Sequence, residues 1–514
     1  VVNIMKNVLQ RKISLKIVLA LLTTAIIVSS SVIYVFAQNP TETFWLSAGL
    51  YPGSPSYTVW RDGSTYYAKY SDGSIDYYST NASQVIQNVF DAIDSTGGDI
   101  LFKTGTYELD VAEDHLSSVF LDLRGGEGNI GIYGEKGAVW SLNCFTWMNR
   151  CIALFIGGGS NVRISGLTFD CLDSYVVQVI YSGAYEPTHQ LTVDNCRFIN
   201  GATQNSTISY LPYGICSHGG RNHVYTENYF ENWALPINVE GGNDDEIGHV
   251  ISNNVIQNTT DVGIILENSA ANASDTIQDI TIIGNTITVG SEWAYPTSVG
   301  NGGINLNLDT SDNDGNIAII GNTITGTETT PHLASFGVSV QGGSEITISG
   351  NVIRECYNNY TSYAGIRVGT GAATGTENVT VTGNTIQGCT RGIMANETGV
   401  DFVLVSNNVI LGVTTHDLNL TGTNSIAKDN VFDGNQNWGT ATLPNGVDNV
   451  DVTVSYITAN SLVILTILDD STLAAGESLK VESITGRSSF KVKCIDEGAA
   501  SAAIEFSYYV INRG

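Results

Sequence analysis

Residues 280–287 read ITIIGNTI, 317–324 IAIIGNTI, 346–353 ITISGNVI and 379–386 VTVTGNTI. The shared pattern is apolar, x, apolar, x, x, Asn, x, then Ile, Val or Phe. Working outward, it recurs as LTVDNCRF (191–198), VYTENYF (224–230), VISNNVI (250–256), LVSNNVI (404–410) and AKDNVF (427–432). The Asn positions are 195, 228, 254, 285, 322, 351, 384, 408 and 430, spaced 22 to 37 residues apart. VRISGLTF (162–169) is the same unit with Leu167 in the Asn place, and NIGIYG (129–134) reads as an irregular first rung. A period of this length means a solenoid or a propeller.

Each unit also carries a second alternating piece, usually opened by Gly: GICSH (214–218), PINVE (236–240), GIILE (263–267), GINLN (303–307), GVSVQ (337–341), GIRVG (365–369), GIMAN (392–396) and DLNLT (417–421). Alternation marks half-buried strands, with Gly and Asn at the turns. Asn tolerates the left-handed backbone that a sharp bend needs, and stacked Asn amides can bond from rung to rung. Propeller blades need about 40 residues or more, and the spacing falls well below that. The reading is an all-β, right-handed, single-stranded parallel β-helix with loop insertions.

The stretch 80–446 resembles the pectate-lyase-like superfamily of right-handed β-helices. Its opening, TNASQVIQNVFDAIDSTGGDILFKTGTYEL (80–109), resembles the usual start of that fold. There an amphipathic helix (Ala82 to Ile93) caps the open end, and a Gly-Gly turn leads into the first strand. A cap protects a terminal rung that is otherwise an exposed sheet edge. The resemblance fixes architecture rather than activity. No calcium-and-arginine lyase signature is present, and the polygalacturonase motifs are missing in their proper order.

Residues 1–37 read as a signal peptide or an N-terminal anchor. Lys6, Arg11, Lys12 and Lys16 precede an apolar run to Phe36, and Val35-Phe36-Ala37 suits cleavage after Ala37. The run of about 20 residues would also just span a bilayer. Either way the remainder is expected to be secreted or displayed on the cell surface. Residues 38–79 carry two Asp-Gly hairpin phrases, WRDGSTYYAKY and YSDGSIDYY, and read as an aromatic β-ornament over the first rung. Sugar stacking on these rings is the other reading. Residues 447–514 leave the Asn repeat and resemble a small phage-tail-type or secreted β domain, which implies attachment or homotrimerisation.

The formal net charge is -28, from 22 basic and 50 acidic residues. Such a surface repels phosphate backbones, so nucleic acid is excluded as a partner. Polyanionic glycans are disfavoured unless calcium or a basic patch intervenes.

Because rungs stack about 4.8 Å apart, equivalent positions form columns. In the Gly-Ile strand the apolar residues face inward. The outward column then reads His218, Glu240, Glu267, Asn307, Gln341 and Asn396, with Tyr181 placed before it. The neighbouring column reads Cys216, Asn238, Ile265, Asn305, Ser339, Arg367 and Met394. By resemblance this sheet carries the superfamily's substrate groove. Two Glu on adjacent rungs repel unless one holds a proton or a cation intervenes, and a raised and a normal carboxyl pair is what acid-assisted glycoside cleavage needs. Glu240, Glu267 and His218 are therefore the candidate catalytic residues. Tyr181, Asn238, Asn305, Asn307, Gln341 and Arg367 are candidate substrate contacts.

Acid-rich turns offer oxygen ligands for calcium: Asp244, Asp245 and Glu246 in one loop, Asp309, Asp312 and Asp314 in another. Solvated turn residues are the alternative. Cys144 and Cys151 bracket a short loop and form a candidate disulfide, whereas Cys356 and Cys389 should stack as a disulfide or as two buried thiols. The functional expectation is a polysaccharide-processing glycoside hydrolase or lyase. Its alternative is a non-catalytic glycan-binding adhesin, tail-fibre-like binder or structural surface protein.

Overall fold

The computed structural model describes residues 53–511 other than 111–117, 125–128, 144–150, 160, 173–175, 184–186, 202–211, 243, 269–274, 291–301, 309–313, 327–335, 358–363, 370–374, 396–398, 415, 421–423, 433–437, 445–446, 455–461, 468–477, 486–488 and 495–502. The leader therefore lies outside the described residues. So do Cys144 of the candidate disulfide and Asn396, Asp309 and Asp312. No helix among the described residues is long and apolar enough to cross a membrane.

The chain winds as a right-handed parallel β-helix with three long sheets of 19, 12 and 11 strands. One turn of the coil contributes one strand to each of the second and third sheets and one or two to the first. In the rung around the Asn repeat, Thr281–Ile283 enters the first sheet and Thr286–Val289 the second, and Gly302–Asn307 follows in the third. Alternate residues of every strand point inward, where Ile and Val stack in columns. The second sheet shows this plainly: Trp140, Phe169, Phe198, Phe230, Ile256 and Ile287 are consecutive partners in register and all fully buried. Phe169, Phe198 and Phe230 stack face to face at 4.9 and 4.5 Å.

The bend between the first and second sheets differs from the sequence expectation by one residue. The left-handed position belongs to the residue before the ladder Asn: Gly166, Asn195, Glu227, Asn253, Gly284, Gly321, Gly350, Gly383, Asn407 and Asp429 all have φ between 53 and 75°. Asn195 thus serves the bend, and Cys196 takes the ladder place below Asn228. The ladder itself runs from Asn228 to Asn430. Each Oδ1 accepts the backbone N–H and the Nδ2–H of the Asn one rung earlier, at 2.9–3.1 Å. The second Nδ2–H goes to a carbonyl such as Ile319 O or Ile348 O. Every polar atom of a buried amide is satisfied, which is why the column tolerates burial.

The recurrent Gly of the third sheet answers a different need. A Cβ on Gly303 would lie 2.5 Å from Ile324 Cγ2 and 2.6 Å from Gly337 O, so close packing rather than backbone twist demands it.

At the start, helix α1 (Ala82–Ile93) is capped by Asn81, whose side chain accepts the Gln84 N–H at 3.1 Å. Its face of Ala82, Val85, Ile86, Val89, Phe90 and Ile93 is buried. The aromatic segment forms the expected hairpins and adds them to the edge of the first sheet. Tyr57–Asp62, Thr65–Tyr70 and Ile75–Ser79 form an antiparallel meander, and the first of these also pairs in parallel with Gly98–Phe102. Trp60 and Tyr67 stack on each other at 5.2 Å, and Tyr67 on Tyr78 at 6.3 Å, so their ring faces meet one another rather than a flat sugar.

Beyond Phe432 the strands become antiparallel. Two three-stranded sheets enclose their own cluster of Leu443, Val452, Phe490, Val492, Ile504 and Phe506. Trp438–Leu443 pairs with Ile504–Ile511, so this part begins before residue 447.

Candidate functional site

The third sheet turns Ile215, Ile237, Val239, Ile264, Leu266, Ile304 and Leu306 into the core and its alternate residues outward. Glu240, Glu267, Asn307 and Gln341 are successive partners in one outward column. His218 stands at its head, with Nε2 3.8 Å from Glu240 Oε1. The neighbouring column of Cys216, Asn238, Ile265, Asn305, Ser339, Arg367 and Met394 is also as expected.

Tyr181 is misplaced by the sequence reading. It pairs with Phe155 and Cys216, so it heads the second column, and reaches His218 only diagonally, with ring centroids 6.0 Å apart. Ile180 pairs with Ile215 and Ser182 with Ser217, which puts Tyr181 two residues short of the place level with His218.

The two columns differ sharply in exposure. Asn307 is exposed, and Glu240, Glu267 and Gln341 are half-buried. The second column is closed off. Asn238 and Ser339 are fully buried, and Arg367 is only 5% exposed, with Nε donating to Gly369 O at 3.1 Å. Leu235, Val262, Ile265 and Phe336 form an apolar patch on this outer side, and Phe155, Tyr181 and Cys216 another. Arg367 is therefore not a surface clamp. Asn238 donates from Nδ2 to Glu267 Oε1 at 3.1 Å, and Gln341 donates from Nε2 to Asn305 Oδ1 at 3.2 Å. These amides orient the site's own groups.

Burial, reinforced by the negative charge of Glu240, pushes Glu267 up to about 7, against the lowering pull of the Asn238 bond. Asp261, just before the same strand, is buried and likewise driven up to about 7, first by desolvation and then by Glu267. The sequence reading missed Asp261, which lies in the turn before the alternating pattern begins. The outer face thus holds a carboxyl with a raised pKa beside a second carboxyl and an imidazole.

The expected calcium turn does not assemble. Asp245 Oδ2 pairs with Arg221 Nη2 at 3.1 Å, its Oδ1 accepts the Thr276 N–H, and Asp244 Oδ1 accepts the Asp245 N–H. Glu246, expected in the same solvated turn, points inward and is fully buried. Cys356 and Cys389 are free, buried thiols, so the stack is the arrangement present.

Among the described residues one group brings three metal-type ligands together: His223, Glu246 and His249, within 4.8 Å inside the coil. Glu246 Oε1 accepts from Ser217 Oγ and Gly219 N, both at 2.7 Å, and Oε2 meets His249 Nε2 at 2.6 Å. The His rings stack at 4.6 Å. Burial drives both imidazoles down to about 3 and Glu246 up to about 7. The tautomers argue against a metal. His223 Nδ1 accepts the Leu191 N–H at 3.1 Å, and His249 Nδ1 accepts the His223 N–H at 3.0 Å. A neutral ring bonded in this way carries its proton on Nε2, the atom a metal would need bare. His249 donates from Nε2 to Glu246 Oε2, whereas His223 Nε2 is buried without a hydrogen bond.

The fold defines the class: this is a right-handed parallel β-helix. The family described as "Right handed beta helix region" matches residues 302–478. Among solved structures, a double mutant of the tailspike protein of E. coli bacteriophage HK620 matches with a TM-score of 0.50 and 14% identity, over 84% of this chain and 90% of that one. The A-module of a mannuronan C-5 epimerase from Azotobacter vinelandii matches with a TM-score of 0.46 and 22% identity, over 69% and 96%. At these identities the likeness is one of fold. No protein with a curated description matches the sequence.

Proposed function

We propose that the chain is a secreted or surface-displayed glycoside hydrolase acting on a neutral polysaccharide at Glu240 and Glu267. One observation carries the reading: the two carboxylates are direct partners on adjacent rungs, and Glu267 is held up to about 7. Glu267 is then the general acid, delivering its proton to the leaving glycosidic oxygen. Glu240, beside His218, is the carboxylate partner, attacking the anomeric carbon or activating water. The ladder spacing of about 4.8 Å is nearer the roughly 5–5.5 Å of a retaining pair than the wider inverting separation. Exposed Asn307 and half-buried Gln341 continue the column and suit sugar hydroxyls. Trimerisation through 447–514 belongs to the same proposal.

Glu240→Gln and Glu267→Gln on a panel of neutral oligosaccharides test this. Each is expected to lower product release by about 100-fold or more while binding persists. Turnover that survives both changes rules the catalytic pair out. Tight binding by the wild type with no product released favours the adhesin reading.

A further inference from the structure

The inside of the coil departs from its own pattern on the same rungs that carry the candidate site outside. The inward column holding Glu246 has Thr188, Gly220 and Ile277 in register around it. The column holding His223 and His249 has Leu191 before it and Ile280 after it, as the backbone bonds Val224 N–H to Leu191 O, Val250 N–H to His223 O and Thr281 N–H to His249 O establish. Aliphatic side chains at these places would fill the core without cost. Burying a carboxyl and two neutral imidazoles instead costs about 1–3 kcal/mol for each polar group left without a bond, so a replacement confined to two rungs calls for a reason.

The bonding supplies one. Ser217 and Gly219 flank His218 on either side, and both donate to the same oxygen, Glu246 Oε1, at 2.7 Å. His218 N–H is itself tied to Ser182 O at 2.9 Å. Gly219 adopts a φ of 105°. On the next rung, a Cβ on Gly242 would strike the His218 ring at 2.1 Å, so the ring lies close against that backbone. The chain of donors behind Glu246 (His249 Nε2, then His223 N–H on His249 Nδ1, then Leu191 N–H on His223 Nδ1) fixes its orientation without any solvent contact.

We infer that Glu246 is a positioning residue: from inside the coil it clamps the Ser217–Gly219 turn and so holds the His218 ring over Glu240. This rests on the reading that His218 and Glu240 form part of the functional site. It adds a buried second layer that no outward-facing column contains.

The test reads His218 in the free, full-length protein, and so is independent of any glycan. With ring-labelled histidine, seven residues contribute, and His218 is assigned by His218→Asn. The wild type should show a nuclear Overhauser contact between the His218 and Tyr181 rings. Glu246→Ile, which copies the residue one rung on, should unfold cooperatively yet lose that contact, and glycan binding or turnover should fall by about tenfold or more. Glu246→Gln keeps an acceptor at Oε1 and should largely restore the contact. A folded Glu246→Ile protein with the contact at full strength overturns the proposal. Should that variant not fold, Ser217→Ala decides by removing one of the two bonds: weakening of the contact supports the clamp, and an unchanged contact overturns it. If the contact is lost in Glu246→Ile while Glu240→Gln and Glu267→Gln leave turnover intact, the clamp stands and the catalytic reading falls.

Discussion

The rungs from 302 to 410 and those from 213 to 268 have the same backbone path and opposite interiors. In the later stretch the inward columns among the described residues are mainly Ile, Val and Leu with the Cys356 and Cys389 thiols, the bend is Gly or Asn, and the Asn ladder closes its own hydrogen bonds. The earlier stretch keeps the path but places His223, Glu246 and His249 inside, and His218, Glu240 and Glu267 outside. A solenoid is stabilised by nearest-neighbour stacking, so a rung can tolerate costly residues when its neighbours are well packed. Regular rungs hold the coil together, and the irregular ones are free to carry chemistry.

The largest effect should come from breaking a regular rung. Asn351→Ala leaves the Asn322 N–H buried without its acceptor, reduces Asn322 Nδ2 to its bonds with Ile282 O and Ile320 O, and takes one donor each from Ile319 O and Asn384 Oδ1. At about 1–3 kcal/mol for the unsatisfied group, with the other bonds lost besides, urea unfolding should show a loss of about 3 kcal/mol or more.

Replacing the irregular interior should have a smaller effect. The triple variant His223→Leu, Glu246→Ile and His249→Leu restores the aliphatic columns but removes the acceptors of the Leu191, residue-223 and Gly219 N–H groups and of Ser217 Oγ–H. The two effects oppose, and the net change at pH 7 should be a loss of about 2 kcal/mol or less. Acid acts on the wild type alone. Both imidazoles have folded pKa values near 3, below the unfolded value, so the unfolded chain binds more protons between about 6.5 and 3 and stability falls as pH falls. Glu246, raised to about 7, acts with the opposite sign and stops contributing below about 4.5. From there to about 3 the wild type should lose up to about 2.7 kcal/mol per pH unit relative to the variant. Unfolding midpoints at pH 7, 4.5 and 3.5 check this, and parallel curves would remove the imidazoles as the cause.

The smallest effect sharpens the outer face. The Asn238 bond pulls Glu267 downward, so Asn238→Leu should raise that carboxyl further. As the acid must be protonated, turnover falls when pH rises through its value, and the alkaline limb should move up by about a unit or less. A limb that moves down, or stays, would separate Glu267 from the acid role.

Much of this was written in the repeat. The period, the alternation and the Gly and Asn turns sufficed for the coil, and the outward register of Glu240, Glu267, Asn307 and Gln341 followed by counting. The interior cluster was also within reach. Aligned on ITIIGNTI, residues 223–230 read HVYTENYF and 249–256 read HVISNNVI, which puts His where Ile280, Ile317 and Ile346 stand. Starting the motif one residue later hid it.

Other features needed the fold. Tyr181 fell in the wrong column because its strand, VVQVIYS, lacks the opening Gly that sets the register of most of the others, and only the pairing of Ile180 with Ile215 fixes it. Glu246 looked like a turn acid because its neighbours Asp244 and Asp245 are, and only the pairing with Gly220 and Ile277 turns it inward. Arg367 and Asn238 had the right column and the wrong surroundings, since exposure depends on what chain segments cover a face. Sequence by itself determined the period, because side-chain alternation and turn chemistry are local. Tertiary structure decided which polar residues are buried, bonded and shifted in pKa, because those depend on partners a full turn of the coil away.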